Sequence, residues 1–168
     1  MERQPVLESD LIRLRPISSD DFEPLFAISS DPLLWEQHPS KERAEEPGFR
    51  RWWADALASG GALVVEDCAT GEVIGTSRYE GYDPDAREVE IGWTFLARSR
   101  WGGPCNAEMK RLMLDHAFQY VDTVVFRVST ENLRSQKAVE KLGAIRVGIE
   151  PDAFGRGDNV LYHLGPTA

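Results

Sequence analysis

The feature that most constrains the fold of this chain is a strand-like run that leads directly into a short capped helix. The run TVVFRVS at 123–129 is followed by ENLRSQKAVEKLG at 131–143. β-Branched and aromatic residues predict a strand, whereas an amphipathic segment that opens on Asn and closes on Gly predicts a helix. Asn132 and Ser135 would then lie together at a strand's carboxyl edge and a helix's amino end, where α/β proteins usually hold ligands.

A second junction of this kind occurs earlier in the chain. The glycine-rich break WGGP at 101–104 follows the strand-like run 88–96 and precedes a helix with apolar residues at i, i+3 and i+4. Glycines at such a turn let backbone N–H groups approach an anion, and the helix dipole adds to the attraction. Arg98, Arg100 and Lys110 are the cations expected to add positive charge there.

Each junction also has a purely structural interpretation. Asn132 is a good helix N-cap and Gly143 a good C′ residue in any fold, and glycines occur in plain βα connections. The glycine-rich break is not a Walker loop, because no GK[ST] follows it, and G-x-G-x-x-G is absent. Two such junctions in succession favour a pair of neighbouring ligand-binding edges.

Composition narrows the class of partner. The 168 residues fit a single domain, 1–168, with 42% hydrophobic residues and a formal charge of −9. This charge argues against nucleic acid as the partner and suits a basic amine better. Cys68 and Cys105 are unclustered, which indicates a reducing compartment, and no run approaches the length of a membrane span. We therefore expect a cytoplasmic protein with no membrane partner.

The remaining pattern predicts a mixed α/β sheet that is antiparallel in its first half. A polar stretch from Asp31 to Gly48, with three prolines, is predicted to be a loop holding at most a short helix. Strands are expected at 11–15, 62–66, 73–79, 88–96, 124–128, 144–149 and 159–164, and helices after Ser18 or Ser19, at 49–58, around 109–120 and after Asn132.

Taken together, these segments resemble the GNAT acyltransferase superfamily, and most closely its branch of ribosomal-protein N-acetyltransferases. The matching stretches are LESDLIRLRPISSDDFEPLFAI, GEVIGTSRY, EIGWTFL, WGGPCNAEMKRLM and ENLRSQKAVEKLGAIRVG, which run nearly end to end. The resemblance implies a GNAT-like α/β (α+β) fold: a mixed, mostly antiparallel twisted sheet with a central parallel strand pair and helices on both faces. It also implies acetyl-CoA as co-substrate, no metal, and a monomer or homodimer.

The resemblance further implies roles for individual residues. The glycine-rich loop and its helix would bind the pyrophosphate of acetyl-CoA, Asn132 would hydrogen-bond its pantetheine or acetyl end, and the strand before the loop would pair with the pantetheine amides. The cofactor-binding residues expected on this basis are Phe95, Leu96, Arg100, Trp101, Gly102, Gly103, Pro104, Cys105, Asn106, Lys110, Asn132 and Ser135.

Two departures from the superfamily pattern bear on the chemistry. The usual loop reads Q/R-x-x-G-x-G/A; alignment on the Trp-Gly step puts Pro104, which has no N–H, at the second signature position. A one-residue shift puts Gly103 there instead, and we prefer the first alignment because it keeps Glu108 and the helix in register. The second departure is Val139, which stands where many members carry a tyrosine acid. A thiol has a pKa of roughly 8.5, so its thiolate leaves without a strong acid.

The expected reaction is direct transfer of the acetyl group to a primary amine, such as a protein N-terminal amine. Alternatives are a polyamine, amino-acid or drug acceptor, or a relative that binds CoA without catalysis. Glu90 is the candidate base, with Glu88 as the fallback on the same side of the strand, and Ser135 is the nearest hydroxyl that could donate a proton. Asn132 completes the expected catalytic set.

Overall fold

The computed structural model describes residues 1–166 and contains, within them, an eight-stranded sheet and four α-helices. The strands are β1 (Leu7–Glu8), β2 (Ile12–Pro16), β3 (Ala62–Asp67), β4 (Val73–Asp83), β5 (Glu88–Leu96), β6 (Thr123–Ser129), β7 (Ile145–Pro151) and β8 (Asp158–Leu164). The helices are α1 (Phe22–Ser29), α2 (Glu46–Ser59), α3 (Cys105–Ala117) and α4 (Leu133–Lys141). No helix in this range combines the length and apolar character needed to cross a bilayer.

The sheet has the order β1-β2-β3-β4-β5-β6-β8-β7. All of its pairs are antiparallel except β5 with β6, which is parallel and lies near the middle. A parallel pair needs a crossover, and α3 provides it between β5 and β6. The expectation of a mixed, mostly antiparallel sheet with a central parallel pair is therefore confirmed.

Helices cover both faces of the sheet, as expected. One apolar layer joins the sheet to α3 through Met109 and Met113, with Val139 of α4 in the same cluster. The other layer joins the opposite face to α1 and α2 through Leu25 and Phe49. The period of 3.6 along each helix turns one apolar stripe toward the sheet, and burial of these stripes stabilises the layers.

A β-bulge in β5 changes which side chains face which layer. Ser77 of β4 stands opposite two residues of β5, Trp93 and Thr94, and Trp93 has φ 51°. The extra residue shifts the alternation by one, so that Ile91 before the bulge and Leu96 after it both face α3. Trp93 itself is turned toward the layer of α1 and α2.

The loop predicted between Asp31 and Gly48 is shorter than expected, because α2 begins at Glu46. Pro47 is tolerated in the first turn, where its missing N–H would have no helical partner. Gly48 is needed there for space, since a Cβ at this position would lie 1.9 Å from the backbone oxygen of Glu42. Composition alone marked these two residues as loop, and the prediction of the helix start was wrong for that reason.

Tyr79 fixes α3 against the sheet. Its side chain is fully buried and its hydroxyl donates a 2.6 Å hydrogen bond to the backbone oxygen of Met113. We expect Tyr79→Phe to lower the free energy of unfolding by about 1 kcal/mol, the usual net contribution of one neutral hydrogen bond. Urea unfolding measures this change; an unaltered midpoint and slope would show that the bond contributes nothing.

Candidate functional site

The central parallel strands β5 and β6 pair at one end and separate at the other, and we call the opening between them the fork. Strands β5 and β6 pair over three residues only, ending with Glu90 opposite Val125. Beyond that point β5 continues to Leu96 and β6 to Ser129, with no further pairing between the two strands in the described part of the chain. The two strand ends therefore diverge, and the first turns of α3 and α4 follow them. Both predicted junctions lie at this opening.

An ion-pair network spans the fork at its apex. The guanidinium of Arg127 on β6 lies 2.6 Å from Glu90 Oε2 and 2.5 Å from Glu150 Oε1. Burial raises the pKa of Glu90 above its ordinary value, and the positive charge of Arg127 offsets part of the rise. A carboxylate with a raised pKa is a stronger base than an exposed one, which agrees with the role expected of Glu90.

The glycine-rich loop ends at the first turn of α3. Gly102 has φ 71°, the left-handed region that glycine adopts at little cost. Pro104 is the N-cap of α3, and no side chain caps the helix. The first helical hydrogen bond runs from Glu108 N–H to the oxygen of Pro104. The N–H groups of residues 105–107 are left for a ligand, because the first N–H groups of a helix have no partner within it.

The cations predicted around this loop are engaged elsewhere. Arg98 pairs with Asp31. Arg100 lies 2.5 Å from Asp67, a buried carboxylate at the end of β3. Both guanidinium groups therefore serve to anchor the loop to the rest of the fold, and neither is free to neutralise a pyrophosphate without losing that partner.

Lys110 does not fit the anion-binding role that the sequence suggested. Its side chain is buried beneath α3, and its ammonium group donates to Thr94 Oγ1 at 2.7 Å and to Ser77 Oγ at 3.3 Å. Burial lowers the pKa of Lys110 to about 7. The helical period explains the difference: Lys110 lies next to Met109 and one turn before Met113, so it faces the sheet.

Of the two residues expected to pair with pantetheine, only Leu96 directs its backbone to the fork. Ala97 N–H donates to the oxygen of Ile74 in β4, and backbone groups alternate in direction along a strand, so Phe95 also faces β4. The Leu96 oxygen already accepts a 3.0 Å hydrogen bond from the indole N–H of Trp101. The Leu96 N–H is the group that this edge still offers.

Asn132 and Ser135 form the first turn of α4. Asn132 Oδ1 accepts from the Ser135 N–H at 3.2 Å, which is the predicted N-cap. That bond fixes the orientation of the amide, and its Nδ2 group has no partner among residues 1–166. Val139, at the position of the usual tyrosine acid, is buried in the core. The structural and the ligand-binding interpretation of Asn132 are thus compatible, since each uses a different atom.

Arg134 joins the two junctions and was missed by the sequence analysis. Its guanidinium lies 3.8 Å from the centre of the Trp101 ring and donates to the oxygen of Leu34 at 3.3 Å. Cation–π contacts of this kind stabilise by roughly 1 kcal/mol. Its position between Asn132 and Ser135 in the first turn of α4 was the one signal available in the sequence.

Two clefts open beneath the loops that connect α1 to α2 and β7 to β8. The first, of about 400 Å³, is lined by Glu36, Gln37, His38, Pro39, Lys41, Glu131 and Arg156. The second, of about 290 Å³, is lined by Glu42, Arg43, Gly48, Arg51, Trp52, Asp55, Trp93, Phe154 and Arg156. Arg156 belongs to both. The first cleft thus reaches the residue before Asn132, and the second reaches the bulge of β5.

His38 in the first cleft is neutral. Burial is the main cause that lowers its pKa to about 3, and the charges of Arg43 and Arg156 add to the effect. Its Nδ1 accepts from the Ser40 N–H at 2.9 Å, so the proton is on Nε2. Across the described residues, no three His, Cys, Asp or Glu side chains group as metal ligands would. The expected absence of a metal stays a prediction.

Comparison with known proteins agrees with this geometry. Residues 12–145 match the family described as the acetyltransferase (GNAT) domain. Among solved structures, a GCN5-related N-acetyltransferase from Brucella melitensis has 21% identity and a TM-score of 0.84, covering 96% of this chain and 79% of that one. An acetyltransferase of the GNAT family from Bacillus anthracis has 17% identity and a TM-score of 0.75, covering 96% and 98%.

RimJ from Mycobacterium smegmatis, solved in complex with CoA-disulfide, has 19% identity and a TM-score of 0.71, covering 96% and 86%. At these identities the solved structures establish a common fold. The family match extends over most of the chain, from β2 to the start of β7. This chain belongs to the GNAT acetyltransferase family.

Proposed function

We propose that this protein is an N-acetyltransferase that moves the acetyl group of acetyl-CoA directly to a primary amine. The observation that carries the proposal is the fork between β5 and β6, with the first turns of α3 and α4 at its mouth. An open strand edge offers backbone groups to the amides of a pantetheine arm, and a helix N-terminus offers N–H groups to phosphate.

The residues at the fork suit acetyl-CoA, although the groups free to bind it differ in part from the residues predicted from the sequence. Asn132 Nδ2, the Leu96 N–H and the N–H groups of residues 105–107 are the donors that remain free. Asn106 adds a half-exposed side-chain amide at the same turn, where Pro104 cannot donate. These groups would hold acetyl-CoA through hydrogen bonds and the dipole of α3, without the side chains of Arg98, Arg100 or Lys110.

Two side chains would move protons. Alkylamines have pKa values of about 10, so at neutral pH a base must first remove a proton from the acceptor. Glu90 would accept that proton on its carboxylate, helped by its raised pKa. Bound acetyl-CoA supplies the acyl group as a thioester. The Ser135 hydroxyl, at the start of α4, would donate a proton to the departing sulfur.

We propose two chemical classes of amine as the acetyl acceptor. A protein N-terminal amine is the first candidate, on the resemblance to ribosomal-protein N-acetyltransferases. A small amine such as a polyamine, an amino acid or a drug-like compound is the second. The two clefts beneath the α1–α2 and β7–β8 loops have volumes at the lower end of small-molecule sites, which favours an acceptor that inserts only a small group.

The test combines binding with turnover. We expect acetyl-CoA to raise the melting temperature of the wild-type protein, because a ligand that binds only the folded state stabilises it. Asn132→Asp keeps an N-cap oxygen but removes the Nδ2 donor and adds a negative charge. We expect this variant to melt near the wild-type temperature without ligand and to lose most of the shift with acetyl-CoA.

Turnover is then measured as thiol release with a panel of amines and N-terminal peptides. Release that depends on an amine supports acetyl transfer, and the preferred acceptor separates the two acceptor classes. A thermal shift without thiol release on any amine would instead favour a relative that binds CoA but does not catalyse transfer. No shift at all would refute the proposed acetyl-CoA site.

A further inference from the structure

The side chain of Arg43 is largely buried, and its guanidinium, which lines a cleft, has no ion-pair partner. Arg43 is 9% exposed, and its guanidinium lies over the Trp35 ring at 5.6 Å. Burial lowers its pKa to about 10, and the positive charge of Arg156 adds to the effect, but the group stays charged near neutral pH. It forms neither a hydrogen bond nor an ion pair with any described residue. Since a buried charge is costly unless it is paired, this arrangement calls for an anion.

A second donor, on another residue that lines the cleft, is also unsatisfied. The indole Nε1 of Trp52, a residue only 5% exposed, is the one buried side-chain nitrogen or oxygen without a partner in the described part of the chain. Such groups are rare, and an unmade hydrogen bond in a buried position destabilises the fold. Arg43 and Trp52 line the same 290 Å³ cleft. A buried indole donor and an unpaired guanidinium that reaches the cleft surface therefore line one cavity.

The other charges of this cleft are already paired or exposed. Asp55 lies 2.5 Å from the Arg78 guanidinium. Arg156 pairs with Asp152 and also donates to Ser40 Oγ. Against the effect of burial, the charges of Glu42 and Asp55 raise the pKa of Arg43, but neither carboxylate lies within ion-pair distance of its guanidinium. Three aromatic side chains, Trp52, Trp93 and Phe154, also line the cleft.

We propose that this cleft is the acceptor subsite for a carboxylate, held by the Arg43 guanidinium and the Trp52 indole N–H. The inference rests on the proposed acetyltransferase function and narrows its acceptor to a small amine that carries a carboxylate on an apolar body. The planar fork of a guanidinium matches a carboxylate, and the three aromatic rings match an apolar body. A dianionic phosphate suits the cleft less well, because Glu42 and Asp55 also line it.

Binding can be tested without any acetyl transfer. The probe is 3-phenylpropanoate, which has the carboxylate and an aromatic body but no amine, and its control is 3-phenylpropanamide. We expect calorimetry on the wild-type protein with acetyl-CoA absent to give at least tenfold tighter binding of the acid, since a hydrogen bond to a charged group contributes about ten- to a hundredfold. Equal affinities would overturn the carboxylate subsite.

Two variants separate recognition from structure. Arg43→Met replaces the guanidinium by an apolar chain, and Trp52→Phe removes the indole N–H but keeps a ring. We expect both to reduce the preference for the acid severalfold or more. Arg43→Met should also melt at or above the wild-type temperature, because it removes an unpaired buried charge. Arg50→Met, at an exposed site on α2 two residues before Trp52, is the matched control and should keep the preference.

The turnover arm compares L-phenylalanine with its methyl ester, and O-phosphoethanolamine serves as the phosphate probe. A KM at least tenfold lower for the acid, raised in Arg43→Met without a change in the KM of acetyl-CoA, supports the subsite. A lower KM for O-phosphoethanolamine than for L-phenylalanine overturns the carboxylate subsite. So does a melting temperature that falls in Arg43→Met while the preference for the acid persists. Absence of thiol release with every amine refutes the proposed transferase, and the calorimetry then decides the subsite alone.

Discussion

Replacing Glu90 by Gln is expected to lower kcat by about two orders of magnitude or more, with acetyl-CoA affinity near the wild-type value. Positioned general bases contribute roughly 10²- to 10⁴-fold, and the amide of Gln cannot take a proton from an amine. The change keeps the shape of the side chain, and the Gln oxygen can still accept from Arg127. Steady-state kinetics with a saturating amine, together with a thermal shift on acetyl-CoA, measures both quantities.

The pH profile gives an independent readout of the same residue. A base must be unprotonated, so kcat/KM should fall as the pH decreases through the pKa of Glu90, which burial raises. Arg127 opposes that rise, and its removal in Arg127→Met should move the acid limb of the profile to still higher pH. If Glu90 were purely structural, Arg127→Met would lower the free energy of unfolding but would not move the acid limb of the kcat/KM profile.

Glu88→Gln is the matched control, because Glu88 precedes Glu90 by two residues and faces the same side of β5. We expect it to leave kcat near the wild-type value. An unchanged kcat in Glu90→Gln would contradict the assignment of the base. A loss confined to Glu88→Gln would transfer the role to Glu88.

Local sequence patterns were enough to predict most of the sheet and both junctions. The strands at 62–66 and 73–79, the strand before WGGP and the capped helix after Asn132 each depend on residues close together in the chain, so periodicity and turn residues identify them. The start of α2 was missed because Pro47 and Gly48 favour loops in general. Pro47 fits in a helix because it stands in the first turn, and Gly48 because it allows the close approach to Glu42.

The site was less predictable because its partners are distant in sequence. Arg100 forms an ion pair with Asp67, thirty-three residues earlier, and no local sequence pattern predicts that pair. The contact between Arg134 and Trp101 likewise depends on how two loops meet in space. The sequence predicted that positive residues near the loop bind the ligand, whereas in the folded protein Arg98 and Arg100 form ion pairs and Lys110 is buried.

The same reason explains why the Arg43 cleft was not foreseen. Arg43 lies in the polar segment between α1 and α2, where sequence patterning predicts exposed charges. Trp52 lies in the helix predicted at 49–58 and is buried in the core. Neither pattern reveals that the two donors share a cavity and lack acceptors, because an unsatisfied group is a property of the packed structure.

Burial of Lys110 is expected to make the free energy of unfolding depend strongly on pH. Its pKa is lowered by burial to about 7 from 10.5. Between these two values the unfolded chain holds a proton that the folded protein has released, so the free energy of unfolding should rise with pH across this window. At about 1.4 kcal/mol per pKa unit, the rise is up to about 5 kcal/mol. Below pH 7 both states are protonated and the contribution is constant.

Lys110→Met should remove this pH dependence and raise the free energy of unfolding near and below pH 7, because it replaces a buried ammonium by an apolar chain of similar length. Ser77 and Thr94 keep a hydrogen bond to each other at 2.8 Å, so neither hydroxyl loses its last partner. Urea unfolding at pH 6, 7.5 and 9 measures the slope for the wild type, the variant and the exposed control Lys137→Met. A flat wild-type profile would mean that Lys110 keeps its proton when buried. A slope that persists in Lys110→Met would assign it to another group.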